Sequence, residues 1–184
     1  MNADKSRKRN RKHADPTALD QWSGELYNKP GHLIRRCYQI VIALYIEEAR
    51  GLGLTQLQYV TLRVISHYPG ESQRGLGALA AVDRTTIGWV ITTLEQKGFL
   101  RREADSRDRR QQCLKLTPLG QRKLKNVDAR MQRLQARILQ PLAPAERQTF
   151  FGYLQKIVLA HNEYSRAPLR ANATVTTAPK LPAR

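Results

Sequence analysis

The richest concentration of chemically active side chains is the stretch from Asp105 to Arg110, which reads Asp-Ser-Arg-Asp-Arg-Arg. A guanidinium group binds phosphate oxygens through paired hydrogen bonds, and a neighbouring carboxylate can hold it in the required orientation. Strand-like runs flank the stretch, at residues 99–103 and 111–116. The pattern therefore predicts a β-hairpin whose tip presents three arginines to nucleic-acid phosphates, namely Arg107, Arg109 and Arg110.

A helix is predicted immediately before this hairpin, at residues 84–97. Asp83 is a favourable N-cap, and apolar residues recur at three- and four-residue spacing, at Ile87, Val90, Ile91 and Leu94. A short apolar segment, 76–82, precedes this helix and completes a helix-turn-helix pair. Helix, strand, charged loop and strand in this order are typical of a winged helix-turn-helix, which reads double-stranded DNA.

The first turns of the second helix of the pair are the expected base-reading surface. Arg84, Thr85 and Thr86 stand there, and they can cap the helix, contact the groove, or do both. Trp89 follows in the middle of the helix. Its indole is predicted either to contact a thymine methyl group or to pack against the neighbouring helix.

The composition supports a polyanionic partner. The 184 residues include 32 Lys+Arg and 15 Asp+Glu, a net charge of +17, which favours nucleic acid first and an anionic membrane surface second. No apolar run approaches the roughly 18 residues of a membrane span. Two cysteines in unlike contexts and the lack of a secretory signal predict a cytoplasmic protein. The basic run at 5–12 is a DNA-contacting arm, a nuclear address or a solvated tail.

Hydrophobic periodicity divides the chain into five segments. Residues 1–30 are predicted to form a basic, disordered arm, 31–53 a first dimerisation helix, 54–120 the DNA-binding lobe, 121–165 the C-terminal dimerisation helices, and 166–184 a disordered tail. The expected fold is mainly α with a small β-hairpin wing. Because the outer helices carry apolar stripes, a second copy of the chain is the simplest cover for them. A two-fold dimer then matches a pseudo-palindromic operator, with its recognition helices about one turn of DNA apart.

A catalytic or metal site is not indicated. The four histidines are scattered, and none stands at ligand spacing from another histidine or a cysteine. A Ser-centred nucleophile elbow and a paired-carboxylate motif are both missing. Gly75 and Gly77 are not spaced as in a phosphate-binding loop. We therefore predict a protein that is not an enzyme and that requires no cofactor.

Four segments resemble the MarR family of bacterial transcription regulators, within a match over about residues 31–162. They are residues 54–59, 83–87, 94–100, and the hairpin 105–110 with Leu-Thr-Pro-Leu-Gly at 116–120. The resemblance implies a winged-helix homodimer joined through its first and last helices. It also implies binding to a pseudo-palindromic operator, usually as a repressor that a small ligand releases.

Particular residues carry the resemblance to the DNA-reading machinery of that family. Thr85 and Thr86 resemble the first-turn polar residues that face the major groove. Arg107 resembles the arginine that enters the minor groove, with Asp105 orienting it. The chain departs from the family at Gly88-Trp89, where many relatives have a polar or basic residue.

Two sensing mechanisms remain open. A redox sensor would oxidise Cys37, but this thiol lies on the apolar stripe, beyond the opening turn of the helix, and a buried thiol without activation is usually inert. A ligand sensor would bind its effector between the dimer helices and the DNA-reading lobe. The opening 30–36 resembles regulators of aromatic-acid catabolism, which implies an anionic aromatic effector, either an acid or its CoA thioester. Six residues are predicted to contact it: His32, Arg35, Arg36, Gln39, Tyr59 and Arg63.

A protein of another class, a basic protein that coats DNA without sequence preference, also fits the net charge and the basic arm. It leaves the recognition helix and the dimer stripes unexplained. Competition by random DNA at physiological salt separates the two, because a purely electrostatic binder has no excess affinity for one site.

Overall fold

The structure is a computed structural model that describes residues 21–104 and 112–169. This part of the chain contains seven α-helices and one antiparallel pair of strands. In chain order the elements are α1 Gln21–Tyr27, α2 Pro30–Glu48, α3 Gln56–His67, α4 Gln73–Ala80, α5 Arg84–Gln96, β1 Leu100–Ala104, β2 Gln112–Leu116, α6 Pro118–Leu139 and α7 Pro144–Ala160, followed by a 3₁₀ turn at Asn162–Tyr164. The basic run 5–12 lies outside the described residues, as do four wing residues, Asp105, Arg107, Arg109 and Arg110.

Two compact units make up the chain, one ending at Val41 and the other beginning at Ile42, with the division inside α2. The hydrophobic core belongs to the second unit. It brings together side chains from the end of α2, from α3 to α6 and from both strands, among them Tyr45, Leu62, Ile91, Leu114 and Val127. The predicted fold class, mainly α with a β-hairpin, is confirmed.

The helices of the second unit begin at residues that satisfy free backbone N–H groups. Thr55 and Gln58 form a reciprocal capping box at the start of α3, with both hydrogen bonds at 3.2 Å. The Ser72 hydroxyl caps α4 by accepting from the Gly75 N–H at 3.1 Å, without a reciprocal bond. The Thr117 hydroxyl accepts from the Gly120 N–H at 3.0 Å and so starts α6. These side chains fix where each helix begins.

The buried face of α3 is wider than the predicted one. Ile65 is buried as predicted, the predicted Leu57 and Val64 are half-buried and pack against the core, and Val60 is half-buried. The structure also buries Gln58, Thr61 and Leu62, which periodicity did not predict. Gln58 is satisfied by the capping box, and the Thr61 hydroxyl donates to the Leu57 carbonyl at 2.8 Å. Polar side chains are tolerated in this core because their hydrogen bonds are made there.

Helix α6 has one face in the core and another on the end of α2. Four residues of its predicted apolar stripe, Leu124, Val127, Met131 and Leu134, are buried. The other two predicted members, Ile138 and Leu142, are half-buried, and Leu142 lies beyond the end of the helix. The helix packs on α3 and β2. Arg130 donates to the Glu48 and Arg50 carbonyl oxygens at 3.1 and 3.0 Å. Arg137 pairs with Glu47 at 2.7 Å and with Glu48 at 2.9 Å. Hydrogen bonds from Arg137 and then Arg133 hold the pKa of Glu48 below its usual range.

Two segments depart from the sequence prediction. Residues 21–27 form helix α1, although the segment 1–30 is predicted to be disordered; seven residues are too few to display a helical period. Residues 166–169 of the predicted tail are held by Asn162, whose side chain bonds both backbone groups of Leu169. Sequence composition alone missed both. The apolar segment 76–82, predicted as the first member of the helix-turn-helix pair, mostly belongs to helix α4 as expected.

The terminal helices expose apolar side chains. None of the residues of α7 is buried, and its exposed members include Tyr153, Leu154, Ile157, Val158 and Leu159. In α2 the exposed apolar residues are Leu33, Ile34, Tyr38, Ile40 and Ile46. Large apolar side chains exposed on a helix in this way are typical of surfaces that partners cover.

Gly120 is a position where the backbone of α6 closely approaches the loop before β1, because a Cβ there would collide with the Phe99 carbonyl group. We expect Gly120→Ala to lower the free energy of unfolding by about 2 kcal/mol or more, since the neighbour is backbone and cannot rotate away. Urea unfolding of the purified protein measures this loss.

The matched control is Gly152→Ala in α7, where an added Cβ meets nothing within 4 Å. Alanine is the better helix former, so this variant should be as stable as the parent or more stable by up to about 1 kcal/mol. Equal stability losses in the two variants would contradict the assigned contact.

Candidate nucleic-acid interface

Helices α4 and α5 form a tight helix-turn-helix. A Cβ on Gly77 would lie 3.0 Å from the Val82 carbonyl oxygen and 3.2 Å from Cγ2 of Ile87, so the absence of a side chain allows the close approach. Ala81 ends α4 in the left-handed region, with φ 52° and ψ 46°. That conformation costs a non-glycine residue about 1–2 kcal/mol. The surrounding packing therefore holds the turn in a strained but defined shape.

Asp83 fixes the start of the second helix of this pair, as predicted. One of its carboxylate oxygens accepts from the Thr85 N–H at 3.1 Å and from the Thr86 N–H at 2.9 Å. Hydrogen bonds from the Thr86 hydroxyl and N–H, and then from the Thr85 N–H, hold the pKa of Asp83 below its usual range. The Thr86 hydroxyl is thus engaged in the cap.

The two faces of α5 differ sharply. The four predicted core residues, Ile87, Val90, Ile91 and Leu94, are all at most 1% exposed. On the opposite face Arg84 and Thr85 are exposed, and Thr86 is half-buried. Trp89 is 65% exposed. Its indole therefore does not pack into the protomer, and the interpretation of this tryptophan as part of the neighbouring helix contact is wrong.

One acid of the β-hairpin, Glu103, holds two of its basic side chains. Strands β1 and β2 pair from Leu100↔Leu116 to Ala104↔Gln112. Between them Glu103 pairs with Arg101 at 2.6 Å and with Lys115 at 2.7 Å. The hydrogen bond from Lys115 is the main cause of the lowered pKa of Glu103. The wing arginines lie outside the described residues, so their contact with DNA stays a prediction.

The residues predicted to hold an effector are divided between the two units. His32, Arg35, Arg36 and Gln39 belong to the first unit, on α2. There Arg36 donates to the Gln39 side chain at 3.2 Å, and the His32 ring lies 5.5 Å from the ring of Tyr27. Arg35 is exposed.

Tyr59 and Arg63 belong to the second unit, and the structure brings them together on one carboxylate. The Tyr59 hydroxyl donates to Oδ1 of Asp128 at 3.3 Å, and Arg63 Nη1 lies 3.3 Å from Oδ2. Burial, followed by the nearby Asp128 charge, raises the pKa of Tyr59. Sequence reasoning missed Asp128, although it is the only acid in α6, among six basic residues.

Other chemistries find little support in the described residues. Cys37 is exposed in the protomer, contrary to the buried thiol predicted for the apolar stripe, and Cys113 is buried in β2. Across residues 21–104 and 112–169, no three His, Cys, Asp or Glu side chains cluster as metal ligands. Within these ranges no helix is both long and apolar enough to cross a membrane.

Comparison with known proteins decides the family. The MarR family model matches residues 54–111. A Thauera aromatica protein named for transcriptional regulation of the hcr operon is 32% identical over 161 residues, which cover 85% of this chain and 95% of that protein. The chain belongs to the MarR family. Relatives of this kind are transcription regulators, and the chain is a transcriptional regulator of the MarR type.

Solved MarR-family structures have the same fold. The PcaV regulator of Streptomyces coelicolor, crystallised with its natural ligand, is 32% identical, with a TM-score of 0.68 over 78% of this chain and 97% of that protein. BpsR of Bordetella bronchiseptica, whose DNA binding is regulated by 6-hydroxynicotinic acid, is 28% identical, with a TM-score of 0.68 over 71% of this chain and 93% of that protein. The winged helix-turn-helix described above is therefore a MarR-family lobe.

The lowered pKa of Asp83 makes the stability of this MarR-family lobe depend on pH. Asparagine caps helices about as well as aspartate but carries no charge, so Asp83→Asn isolates the ionic contribution. Because the folded-state pKa is depressed, the contribution is fully present above the ordinary aspartate pKa of about 3.9 and is lost as pH falls through the folded-state value. We expect the parent to be more stable than Asp83→Asn at pH 6, with a gap that narrows below about pH 4. Urea unfolding across this range measures the gap, and a gap independent of pH would contradict the assignment.

Proposed function

We propose that this MarR-family protein is a homodimeric, sequence-specific repressor that an aromatic carboxylic acid releases from its operator. The exposed face of α5 is the observation that carries the proposal. A helix whose inner face is fully buried, and whose outer face offers an arginine, a threonine and an uncovered indole, is suited to enter the major groove.

Base readout is assigned to the outer face of α5. Arg84 and Thr85 are free to meet base edges or flanking phosphates, while Thr86 is partly committed to the cap. Trp89 offers an apolar ring of the kind that contacts a thymine methyl group. The wing arginines Arg107, Arg109 and Arg110, with Asp105, are proposed on the sequence pattern to contact the adjacent backbone and minor groove.

A second copy of the chain is the proposed cover for the exposed apolar faces of α2 and α7. Side chains such as Tyr38, Ile40, Leu154 and Val158 are costly to leave in water over so much contiguous surface. A two-fold dimer buries the same patch on both copies and supplies two recognition helices for an inverted-repeat site.

The effector is proposed to be an aromatic acid because an aromatic ring and a guanidinium lie together on α3. Tyr59 is half-buried, and within the described part of the chain the Arg63 guanidinium pairs with Asp128 alone. That ion pair is partly exposed, so it contributes at most about 1 kcal/mol, and an incoming carboxylate can displace it. Regulation of BpsR by 6-hydroxynicotinic acid, a ring bearing a carboxylate, supports this class of effector. On the sequence pattern alone, His32, Arg35, Arg36 and Gln39 are proposed as further contacts.

Helix α3 can connect the effector to DNA. It packs against α6 on one side and against α4 and α5 on another. A ligand carboxylate that binds Arg63 in place of Asp128 breaks a polar link between α3 and α6. The ligand then favours the conformation of the lobe that binds it more tightly. The affinity for DNA falls only if that conformation fits the operator less well. The coupling is reciprocal, so operator binding weakens ligand binding by the same free energy.

Readout by Trp89 can be tested on an operator selected by the parent protein from a library of random duplexes. We expect Trp89→Ala to lower the ratio of operator to random-DNA affinity by about tenfold, because losing the recognition of one base pair costs roughly 1–3 kcal/mol. Replacing each operator thymine by deoxyuridine removes single methyl groups. At one thymine position, this replacement should weaken operator binding by the parent but not by Trp89→Ala.

Two results would contradict this function. Selection that enriches no sequence would indicate a basic protein that coats DNA. An unchanged affinity ratio in Trp89→Ala, with the parent discriminating normally, would remove the tryptophan from readout and leave the rest of the proposal standing.

The effector can be sought by thermal shift with benzoates, hydroxynicotinates, phenylpropenoic acids and their CoA thioesters. A ligand at 100 times its Kd stabilises the folded state by about 2.7 kcal/mol, which raises Tm. The same compound should weaken operator binding. We expect Asp128→Asn, which frees Arg63 but keeps an acceptor for Tyr59, to bind the acid up to about fivefold more tightly. Arg63→Gln should bind it less tightly.

The uncharged amide of the same acid is the control ligand, because Asp128→Asn should not improve its binding. If Asp128→Asn strengthens the binding of the amide as much as that of the acid, competition between Asp128 and the ligand carboxylate for Arg63 is excluded. If the CoA thioester alone raises Tm, the carboxylate is not the recognised group and the effector class must be changed.

A further inference from the structure

A groove of about 580 Å³ lies beside the start of the recognition helix, within the second unit. Its walls come from α4, from the first turn of α5 and from the segment after α7. The lining residues include Arg74, Asp83, Arg84, Ile87, Arg166 and Pro168. The C-terminal segment thus reaches the surface that is proposed to face DNA.

The segment is held in a defined shape by Asn162. The Asn162 side-chain amide donates to the Leu169 carbonyl oxygen at 3.2 Å, and its carbonyl accepts from the Leu169 N–H at 2.8 Å. Ser165 accepts from the Ala167 N–H at 3.2 Å inside the loop so formed. These bonds close residues 162–169 into a loop that carries Arg166 at the groove.

The groove has an excess of unpaired positive charge. Arg74, Arg84 and Arg166 are all exposed, and none has an ion pair or hydrogen bond with another described residue. The acid among the lining residues, Asp83, is occupied by the N–H groups of α5. Three guanidinium groups that pair with no acid among the described residues favour an anion at this position.

We propose that Arg166 binds a phosphate of the operator backbone, so that the loop 162–169 extends the DNA interface beyond the winged helix-turn-helix. This inference rests on the proposed function, which places the exposed face of α5 in the major groove. DNA is the occupant because the groove is continuous with that face through Arg84, and because backbone phosphates flank any base that α5 reads. Arg166 positions the protein without reading sequence.

The effect of losing Arg166 follows from counterion release. Each phosphate contact contributes about 0.9 to the slope of log affinity against log salt concentration. A dimer that loses two contacts should have a slope smaller by about 1.8, and at 0.1 M salt an affinity lower by a factor of tens. Because phosphates carry no sequence information, Arg166→Gln should weaken operator and random DNA equally.

The experiment measures the binding of the selected operator duplex between roughly 0.05 and 0.3 M salt for the full-length parent and Arg166→Gln. Arg50→Gln is the matched control. Arg50 is an exposed arginine that does not line the groove. It lies three residues before Gly53, whose carbonyl oxygen accepts from Lys97 at the C-terminal end of α5, and the groove lies at the other end of that helix, which is about 20 Å long. We expect Arg50→Gln to keep the parent slope. Equal losses in the two variants would mean a general charge effect and would overturn the proposal.

Asn162→Ala tests the loop itself. Without the amide that holds Leu169, Arg166 loses its fixed position, so this variant should share much of the loss of affinity and slope. The double variant Asn162→Ala, Arg166→Gln should bind no more weakly than Arg166→Gln alone, because both changes remove the same contact. Fully additive losses would show that Asn162 acts elsewhere. Circular dichroism and gel filtration confirm that each variant is folded and has the parent's oligomeric state.

The remaining outcomes separate this inference from the proposed function. If the parent does not prefer its selected duplex, the proposed function fails. If the parent prefers it and Arg166→Gln has the same affinity and slope, only the inference fails. Tighter binding by Arg166→Gln would mean that the loop obstructs DNA, and this result also overturns the proposal.

Discussion

One face of α5 is buried along its whole length, and the functional surfaces of the protein depend on that burial. Ile87, Val90, Ile91 and Leu94 each contribute about 1.5–3 kcal/mol on leaving water. Four anchors over two turns prevent the helix from rotating about its axis. The direction of Arg84, Thr85 and Trp89 is therefore set by hydrophobic packing, which is rigid and close to the density of a crystal. A DNA-reading face needs this rigidity, because a helix that rolls presents no constant pattern to the bases.

We propose that helix α3 transmits effector binding to that rigid unit. It packs in the core against α4, α5 and α6, and Tyr59 and Arg63 add a polar link to Asp128 of α6. The core contacts are apolar, while the polar link is partly exposed and weak. A ligand can therefore exchange the polar contact at little cost without unfolding the core. This difference in strength allows a regulator to be stable and responsive at once.

Local patterns predicted the DNA-reading elements well, and they failed where distant residues decide. The Asp83 cap and the stripe of α5 were predictable because each depends on neighbours within a turn or two. The buried Gln58 was not, since its burial depends on Thr55 and on Lys97, 39 positions away. Asp128 was missed for the same reason: a lone acid in a basic helix has no pattern, and only the fold brings it to α3. Two amide hydrogen bonds hold the loop at Asn162. The loop therefore has no hydrophobic period from which it could be predicted.

The pairing of individual arginines indicates which of them are available to bind DNA phosphates, and the net charge of +17 does not. Arg133 pairs with Glu48, and Arg137 pairs with Glu47 and Glu48, so these ion pairs connect α6 to the end of α2. Arg101 pairs with Glu103 in the hairpin, and Arg102 pairs with Glu95 in α5. A guanidinium already paired with a carboxylate gains little from a phosphate, because it must lose one anion to bind the other. Among the described residues, the unpaired arginines around the start of α5 can therefore release counterions on binding DNA more readily than the arginines that are paired with acids.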